Sequence, residues 1–272
     1  MLTLSLGPLT FSLAHLILLG CLALAVLVGW WLGRRQGINP EALLFRLLLL
    51  ALLVARLAFV VRYAGHFAEQ PWRVLDIRDG GFIAWPGLVA AGLYAGWRLW
   101  RVPPLRKPAG AALVAGVGAW LIATFAWQTF EQQTRLPSLT LYTTSGEAVE
   151  LERFIGQPLV INLWATWCPP CRREMPVFAE AQQRVPQVTF LFVNQGEGPA
   201  VTQGYLADQG LALDNLLLDP RGELGQRVGS RALPTTLFYD AEGRQRGSHL
   251  GELSEASLAR ALERLQGAER RN

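Results

Sequence analysis

The first 33 residues contain no Lys, Arg, Asp or Glu. Within them, Leu9 to Leu32 is long enough to cross the roughly 30 Å hydrocarbon core of a bilayer. A signal peptide would carry a basic n-region and a shorter apolar core, and this stretch has neither. Leu18-Leu19-Gly20-Cys21 has only the outline of a lipoprotein cleavage box. With no basic start and a further apolar run behind it, Cys21 reads as a small apolar side chain in a membrane helix. The chain as a whole is 51% hydrophobic and 17% charged, too apolar for an ordinary soluble protein of 272 residues.

Three further segments qualify as spans: Ala42 to Val61, Gly80 to Trp97 and Ala109 to Phe130. The first of these carries Arg46 and Arg56, each near an end. They can snorkel to the headgroups, or stand as buried cations facing a polar cavity or a lipid headgroup. Arg34 and Arg35 follow the first span, and Arg98, Arg101, Arg106 and Lys107 follow the third. The loop from Arg62 to Asp79 is balanced in charge. The positive-inside rule then puts the N-terminus outside, both basic loops in the cytoplasm and everything after the fourth span outside. Residues 1–135 hold 12 basic and 5 acidic residues, whereas residues 136–272 hold 13 and 16. The net positive charge therefore belongs to the membrane loops, and no nucleic-acid partner is expected.

The chemistry-bearing stretch is Trp167-Cys168-Pro169-Pro170-Cys171. It follows Leu159 to Trp164, a short apolar run that reads as a buried strand, and precedes Arg172 to Phe178, which reads as a helix. At a helix N-terminus, free N–H groups and the positive end of the macrodipole stabilise an anion, so Cys168 can be a thiolate near neutral pH. Two intervening residues let Cys171 fold back and close a disulfide onto Cys168. The prolines preset helical φ and give up N–H groups that a first turn cannot use internally. The alternatives are a structural disulfide or half a zinc site. Zinc would need two more ligands, and the chain offers only Cys21, His15, His66 and His249, none at a ligand spacing. A purely structural loop this small would stabilise little. The context favours redox chemistry, with no metal and no cofactor.

From about Leu139 to Leu265 the chain resembles a thioredoxin domain of the TlpA-like branch, the membrane-tethered periplasmic thiol:disulfide oxidoreductases that include cytochrome c maturation reductases. The matching residues are the Trp-Cys-Pro-Pro-Cys motif, Pro176, and Leu233-Pro234-Thr235-Thr236. The resemblance implies that Pro234 is cis and lies against the active disulfide. The buried strand acid of ordinary thioredoxins is matched here by Asn162, so this site lacks that proton acceptor. A second resemblance covers roughly Leu43 to Trp100, where Ala55 to Val60 and Gly80 to Leu88 look like a shortened prolipoprotein diacylglyceryl transferase. That family uses a His-Gly-Gly, and here Trp85 and Pro86 stand in the first two positions, leaving Gly87. Trp cannot move a proton as His does. The family's later Arg/Asn motif is also missing, so this domain reads as a degenerate relative kept as an anchor, with lipid or partner contact as a further role.

The expected architecture is an α-helical membrane domain with four transmembrane helices, residues 1–130, then a linker, 131–138, and a periplasmic α/β thioredoxin-like domain, 139–272. Glu131 to Arg135 reads as a short tether. Leu139 to Tyr142 and Ala148 to Leu151 alternate around Ser145-Gly146, a hairpin signal. Strands follow at Val188 to Val193, Leu216 to Leu218, near Thr235 and near Arg244, with helices at Pro199 to Gln209 and Glu223 to Val228. Ser254 can cap a closing helix that runs to about Gln266.

Cys168 is the expected attacking thiol and Cys171 the resolving one. Trp167 either shields one side of the disulfide or packs into the core. Glu174, three residues past Cys171, either exchanges a proton with it, as the resemblance implies, or is a solvated acid that favours the helix dipole. Pro169 and Pro170 offer the thiolate neither an N–H nor a positive charge, which points to a low potential and a reductant. The expected function is a membrane-anchored periplasmic dithiol reductase of protein disulfides. In an oxidising compartment it must be recharged, and Cys21 is the only cysteine of the membrane part. A separate membrane thiol reductase is therefore an expected partner, alongside protein thiol clients and the bilayer of a bacterial inner membrane. The alternatives are a dithiol oxidase, or a lipoprotein transferase with an accessory redox domain.

Overall fold

The computed structural model describes residues 3–6, 9–34, 37–68, 71–230 and 232–269. The chain divides into two compact units, one of residues Leu13–Trp127 and one of Met1–Ser12 with Gln128–Asn272.

The first unit is helical: α1 (Leu13–Gly33), α2 (Glu41–Arg62), α3 (Ala84–Arg101) and the greater part of α4 (Arg106–Gln133). Three helices are long and apolar enough to cross a membrane: Leu13–Gly33, Glu41–Arg62 and Pro103–Glu131. The other expected span is a helix of 18 residues with Arg98 and Arg101 in its last turn, and it is not among these three. It also starts at Ala84 rather than Gly80. Asp76 accepts from Arg78 N at 3.1 Å, Gly80 takes a left-handed φ of 64°, and Ile83 N reaches back to Ala55 O at 3.0 Å. These contacts hold the segment before Ala84 out of the helix. The first span begins at Leu13 rather than Leu9, because Thr3–Leu6 (β1) and Leu9–Ser12 (β2) alternate polar and apolar residues and pair as an antiparallel hairpin.

Of the two arginines inside the expected span Ala42 to Val61, Arg46 is exposed and Arg56 is buried. The segment after α2 folds over Arg56. Its Nη1 donates to Asp79 Oδ1 (2.8 Å) and Gly81 O (3.0 Å), its Nη2 to Arg73 O (3.1 Å) and Asp76 O (2.7 Å), and its Nε to Val74 O (3.0 Å). All five N–H donors of the guanidinium are thus used. Gly81 is required here, since a Cβ would run into Phe59 and Arg56 Nη1. Gly87, the one glycine left of the transferase-like motif, lets α3 approach α2 until a Cβ would collide with Ala51 O.

The second unit is built on a seven-stranded sheet in the order β4-β3-β7-β6-β5-β8-β9. The strands are β3 (Thr140–Tyr142), β4 (Ala148–Glu150), β5 (Leu159–Trp164), β6 (Thr189–Gln195), β7 (Leu216–Asp219), β8 (Thr235–Tyr239) and β9 (Gln245–Leu250). β5, β6 and β7 run parallel, and β8 lies antiparallel on the other side of β5. Parallel strands need crossovers, supplied by α5 (Pro169–Arg184) and α6 (Pro199–Gln209). α7 (Glu223–Arg227) and α8 (Glu255–Glu269) complete the unit. Ser254 Oγ accepts from Ser257 N at 3.2 Å, the cap expected for the closing helix.

Every residue of β5 is buried, as a strand covered on both faces requires. The alternation divides it between two cores. Leu159, Ile161 and Leu163 join Leu191, Leu237 and Leu224 on one face, while Val160 and Trp164 join Met175, Phe178, Leu258 and Leu262 on the other. Asn162 falls on the second face, under α5.

The expected tether is tied down. Glu131–Gln133 continue α4, Leu136 N donates to Gly243 O (2.8 Å), Gln245 N donates to Thr134 O (2.8 Å), and Ser248 Oγ donates to Glu131 Oε1 (2.6 Å). β9 would otherwise be a bare sheet edge, and these bonds cover it.

Candidate active site

β5 ends at Trp164 and α5 begins at Pro169, and the four residues between turn the chain at the edge of the core. Cys168 is the N-cap of α5, in extended conformation (φ −90°, ψ 105°), with Pro169 and Pro170 opening the helix. Cys171 N, the first donor of the helix free to point at it, lies 3.3 Å from Cys168 Sγ. The two cysteines form a disulfide with Cα atoms 5.3 Å apart. Cys168 is 3% exposed and Cys171 0%, so any partner sulfur meets Cys168 first. Trp167 is 67% exposed beside them, which overturns the core-packing reading of that residue.

Glu174 is 0% exposed, so it is no solvated acid of the first helical turns. Its Oε1 accepts from Asn162 Nδ2 at 2.7 Å and its Oε2 from Leu253 N at 2.9 Å. Burial pushes its carboxyl up to about 8, against the pull of those two donors and with the help of the nearby Glu252 charge. On α5 it stands three residues, about one turn, past Cys171. The peptide Leu233–Pro234 is cis, Pro234 is buried, and its carbonyl accepts from Gly251 N at 2.9 Å. Leu233 packs against the cluster that contains both cysteines.

One residue of the site went unread in the sequence. Glu197, in the loop after β6, accepts from Thr166 N at 2.8 Å, from the Thr166 hydroxyl, and from Asn194 Nδ2 at 2.7 Å. It thereby fastens the loop two residues before Cys168. The signal was present: an acid just past the carboxyl end of the strand parallel to β5, where open α/β sheets place their working groups.

Trp85, in the first turn of α3, is 70% exposed. Among the described residues no cluster of three or more His, Cys, Asp or Glu could hold a metal ion.

Residues 3–141 match the family model for prolipoprotein diacylglyceryl transferase, and residues 133–246 match that of the AhpC/TSA family. The thiol:disulfide interchange protein DsbE homolog of Paracoccus denitrificans is 36% identical over 119 residues, 43% of this chain and 65% of that protein. The sporulation thiol-disulfide oxidoreductase A of Bacillus subtilis is 27% identical over 152 residues, 54% of this chain and 90% of that protein. Among solved structures, a thiol:disulfide interchange protein of the thioredoxin family from Chlorobium tepidum aligns with a TM-score of 0.43 and 27% identity, over 48% of this chain and 94% of the other.

Proposed function

We propose that this chain, which belongs to the prolipoprotein diacylglyceryl transferase family through residues 3–141 and carries an AhpC/TSA-family thioredoxin-like domain over residues 133–246, is a membrane-anchored thiol:disulfide oxidoreductase that reduces protein disulfides. The observation that carries this is the Cys168–Cys171 pair at the head of α5 with a buried carboxyl one turn away. The names of the relatives, a thiol:disulfide interchange protein and a thiol-disulfide oxidoreductase, support the same chemistry.

In the reduced protein the Cys168 thiolate attacks one sulfur of a client disulfide, and the other client sulfur leaves as a thiolate. Cys171 then passes its proton to Glu174 and attacks Cys168 Sγ. The mixed disulfide breaks, the second client thiolate leaves, and the Cys168–Cys171 disulfide forms. Two electrons have moved to the client, and a membrane thiol reductase must return them. Trp167, exposed beside the disulfide, is part of the surface a client meets. The direction is read from Pro169 and Pro170, which give the thiolate no N–H and no charge and leave it the N–H of Cys171, so the reduced form is less stabilised than in a strong oxidant and the pair is a reductant. Loop charges favour a periplasmic domain on an inner-membrane anchor, with oxidised cytochrome c precursors among the fitting clients. Diacylglyceryl transfer is disfavoured by Trp85, which stands where that family uses His and cannot carry a proton.

The test is a Cys171→Ala protein, which should accumulate mixed disulfides through Cys168 with clients and with the reductase, while Cys168→Ala should trap far fewer. A reduction potential near the roughly −120 mV of a strong dithiol oxidant would reverse the direction of electron flow.

A further inference from the structure

Glu174 is held from two elements at once. On β5, Asn162 stands in register with Thr236 of β8, which stands in register with His249 of β9. The Asn162 amide Nδ2 donates to Glu174 Oε1 at 2.7 Å and to Thr236 Oγ1 at 3.2 Å, and Leu253 N donates to Glu174 Oε2 at 2.9 Å. Both groups bonded to the carboxyl are therefore donors. That suits a carboxylate, which only accepts, but not a carboxylic acid, whose hydroxyl must donate. One buried acceptor nearby is unused: Asn162 Oδ1 has no hydrogen-bond partner among the described residues. It belongs to the amide that already touches Glu174. A half-turn about the last side-chain bond brings Oδ1 to the place of Nδ2. There it can accept from a Glu174 hydroxyl and from the Thr236 hydroxyl together.

We propose that Asn162 is the positioning residue of the exchange reaction: its amide holds the Glu174 carboxyl at Cys171 in both protonation states, donating to the carboxylate and, turned over, accepting from the acid. This rests on the reductase reading above. In the resolving step the Cys171 S–H proton moves to the Glu174 carboxylate, the Cys171 thiolate attacks Cys168 Sγ, and the bond from Cys168 to the client breaks. The Glu174 hydroxyl so formed needs an acceptor at once, and Asn162 Oδ1 is placed to be it. An aspartate at this position could not play the part, since two acids in contact repel each other's charged forms.

Among the described residues, the titratable and charged groups around Glu174 are these. Glu252, beside Leu253, is ion-paired with Arg173 of α5 at 2.6 Å. Cys168 and Cys171 lie on or beside its own helix, and His249 ends the cross-strand row. Asn162 and Thr236, the groups contributed by β5 and β8, do not titrate. A pH profile of the resolving step therefore reports on Glu174, the sulfurs and a neighbouring ion pair.

The experiment uses the full-length reduced protein in detergent and an aromatic disulfide whose thiolate product is coloured. The first coloured thiolate reports the attack by Cys168, and the second reports the attack by Cys171 on the mixed disulfide. In the wild type the second release should rise with pH through one inflection, which Glu174→Gln should abolish. Asn162→Leu removes a donor to the carboxylate and should move that inflection up by about one pH unit, a tenfold loss of rate below it. Thr236→Val, which frees the amide to wander, should move it the same way by less. If Asn162→Leu does not fold, Asn162→Asp serves: two coupled acids should split the single inflection into two. Inflections unmoved in all folded variants, whatever their stability, would overturn the proposal. A wild type that never releases the second thiolate at any pH would instead overturn the reductase reading beneath it.

Discussion

Glu197 receives both the backbone N–H and the hydroxyl of Thr166, although the two residues are separated by the whole of α5 and β6. The turn that presents Cys168 is therefore not held by its own helix alone. Removing the carboxylate in Glu197→Ala leaves a part-buried N–H and a hydroxyl without their acceptor. A loss of about 1–3 kcal/mol is expected in denaturant unfolding of the redox unit. Disulfide exchange should slow as well, because the loop no longer fixes Cys168 at the helix head. Unchanged exchange in a destabilised variant would show that Glu197 serves the fold only.

The raised Glu174 carboxyl makes a prediction about stability. Its ordinary value is 4.5 and its folded value about 8. The folded state therefore binds the proton more tightly than the unfolded chain does. The stabilisation is fully present below about pH 4.5 and is lost as pH rises through 8, at up to about 1.4 kcal/mol per pH unit. Thermal unfolding should show the redox unit weakening across this window. Glu174→Gln, neutral at every pH, should flatten that slope and raise the unfolding temperature more at pH 8 than at pH 5. Parallel slopes in the two proteins would mean that Glu174 is ionised when folded.

What the sequence revealed and what it hid divide along a physical line. The Cys168–Cys171 junction, the helix Pro199–Gln209 and the Ser254 cap are local features, set by residues within one turn or one strand of each other, and the structure has them where spacing puts them. Glu197 was missed because its partner is 31 positions away and only the parallel pairing of β5 and β6 brings them together. An acid early in a helix also looks solvated until the Leu253 segment closes over it, and Asn162 could be read as a missing acid but not as a donor to Glu174. The bonds from Thr134 and Leu136 to the β9 hairpin were hidden likewise, since nothing in a polar run says which edge it will cover.

Arg56 makes a third prediction, in the helical unit. A guanidinium with five filled donors cannot be replaced by an ammonium with three. Arg56→Lys should leave several of the carbonyls of Arg73, Val74, Asp76 and Gly81 unsatisfied. Arg56→Leu would remove one partner of the buried pair with Asp79, a loss of about 3–5 kcal/mol. The segment between α2 and α3 should then become open to protease in detergent while the redox unit keeps its own unfolding temperature. A segment still protected in Arg56→Leu would show that the apolar contacts of Phe59 and Phe67 hold it without the arginine.

The last prediction decides the path of the chain through the bilayer. At 1.5 Å per residue the 18 residues of α3 reach about 27 Å, just short of a hydrocarbon core. Its length permits a crossing, and its two terminal arginines suit an end at a headgroup layer. The charges around it argue that it does cross. Arg98, Arg101, Arg106 and Lys107 stand together where α3 ends and α4 begins, with no acid among them, whereas the segment between α2 and α3 mixes both signs. By the positive-inside rule these two segments belong on opposite sides, which requires α3 to lie between them as a span. Alkaline phosphatase, active only outside the cytoplasm, should therefore work when fused after Asp79, fail after Arg101 and work again after Arg135. If α3 lay on one face instead, the fusion after Arg101 would share the activity of that after Asp79, and the fusion after Arg135 would be inactive. That second pattern would place Cys168 and Cys171 in the reducing cytoplasm, where a dithiol pair needs no membrane partner to stay reduced.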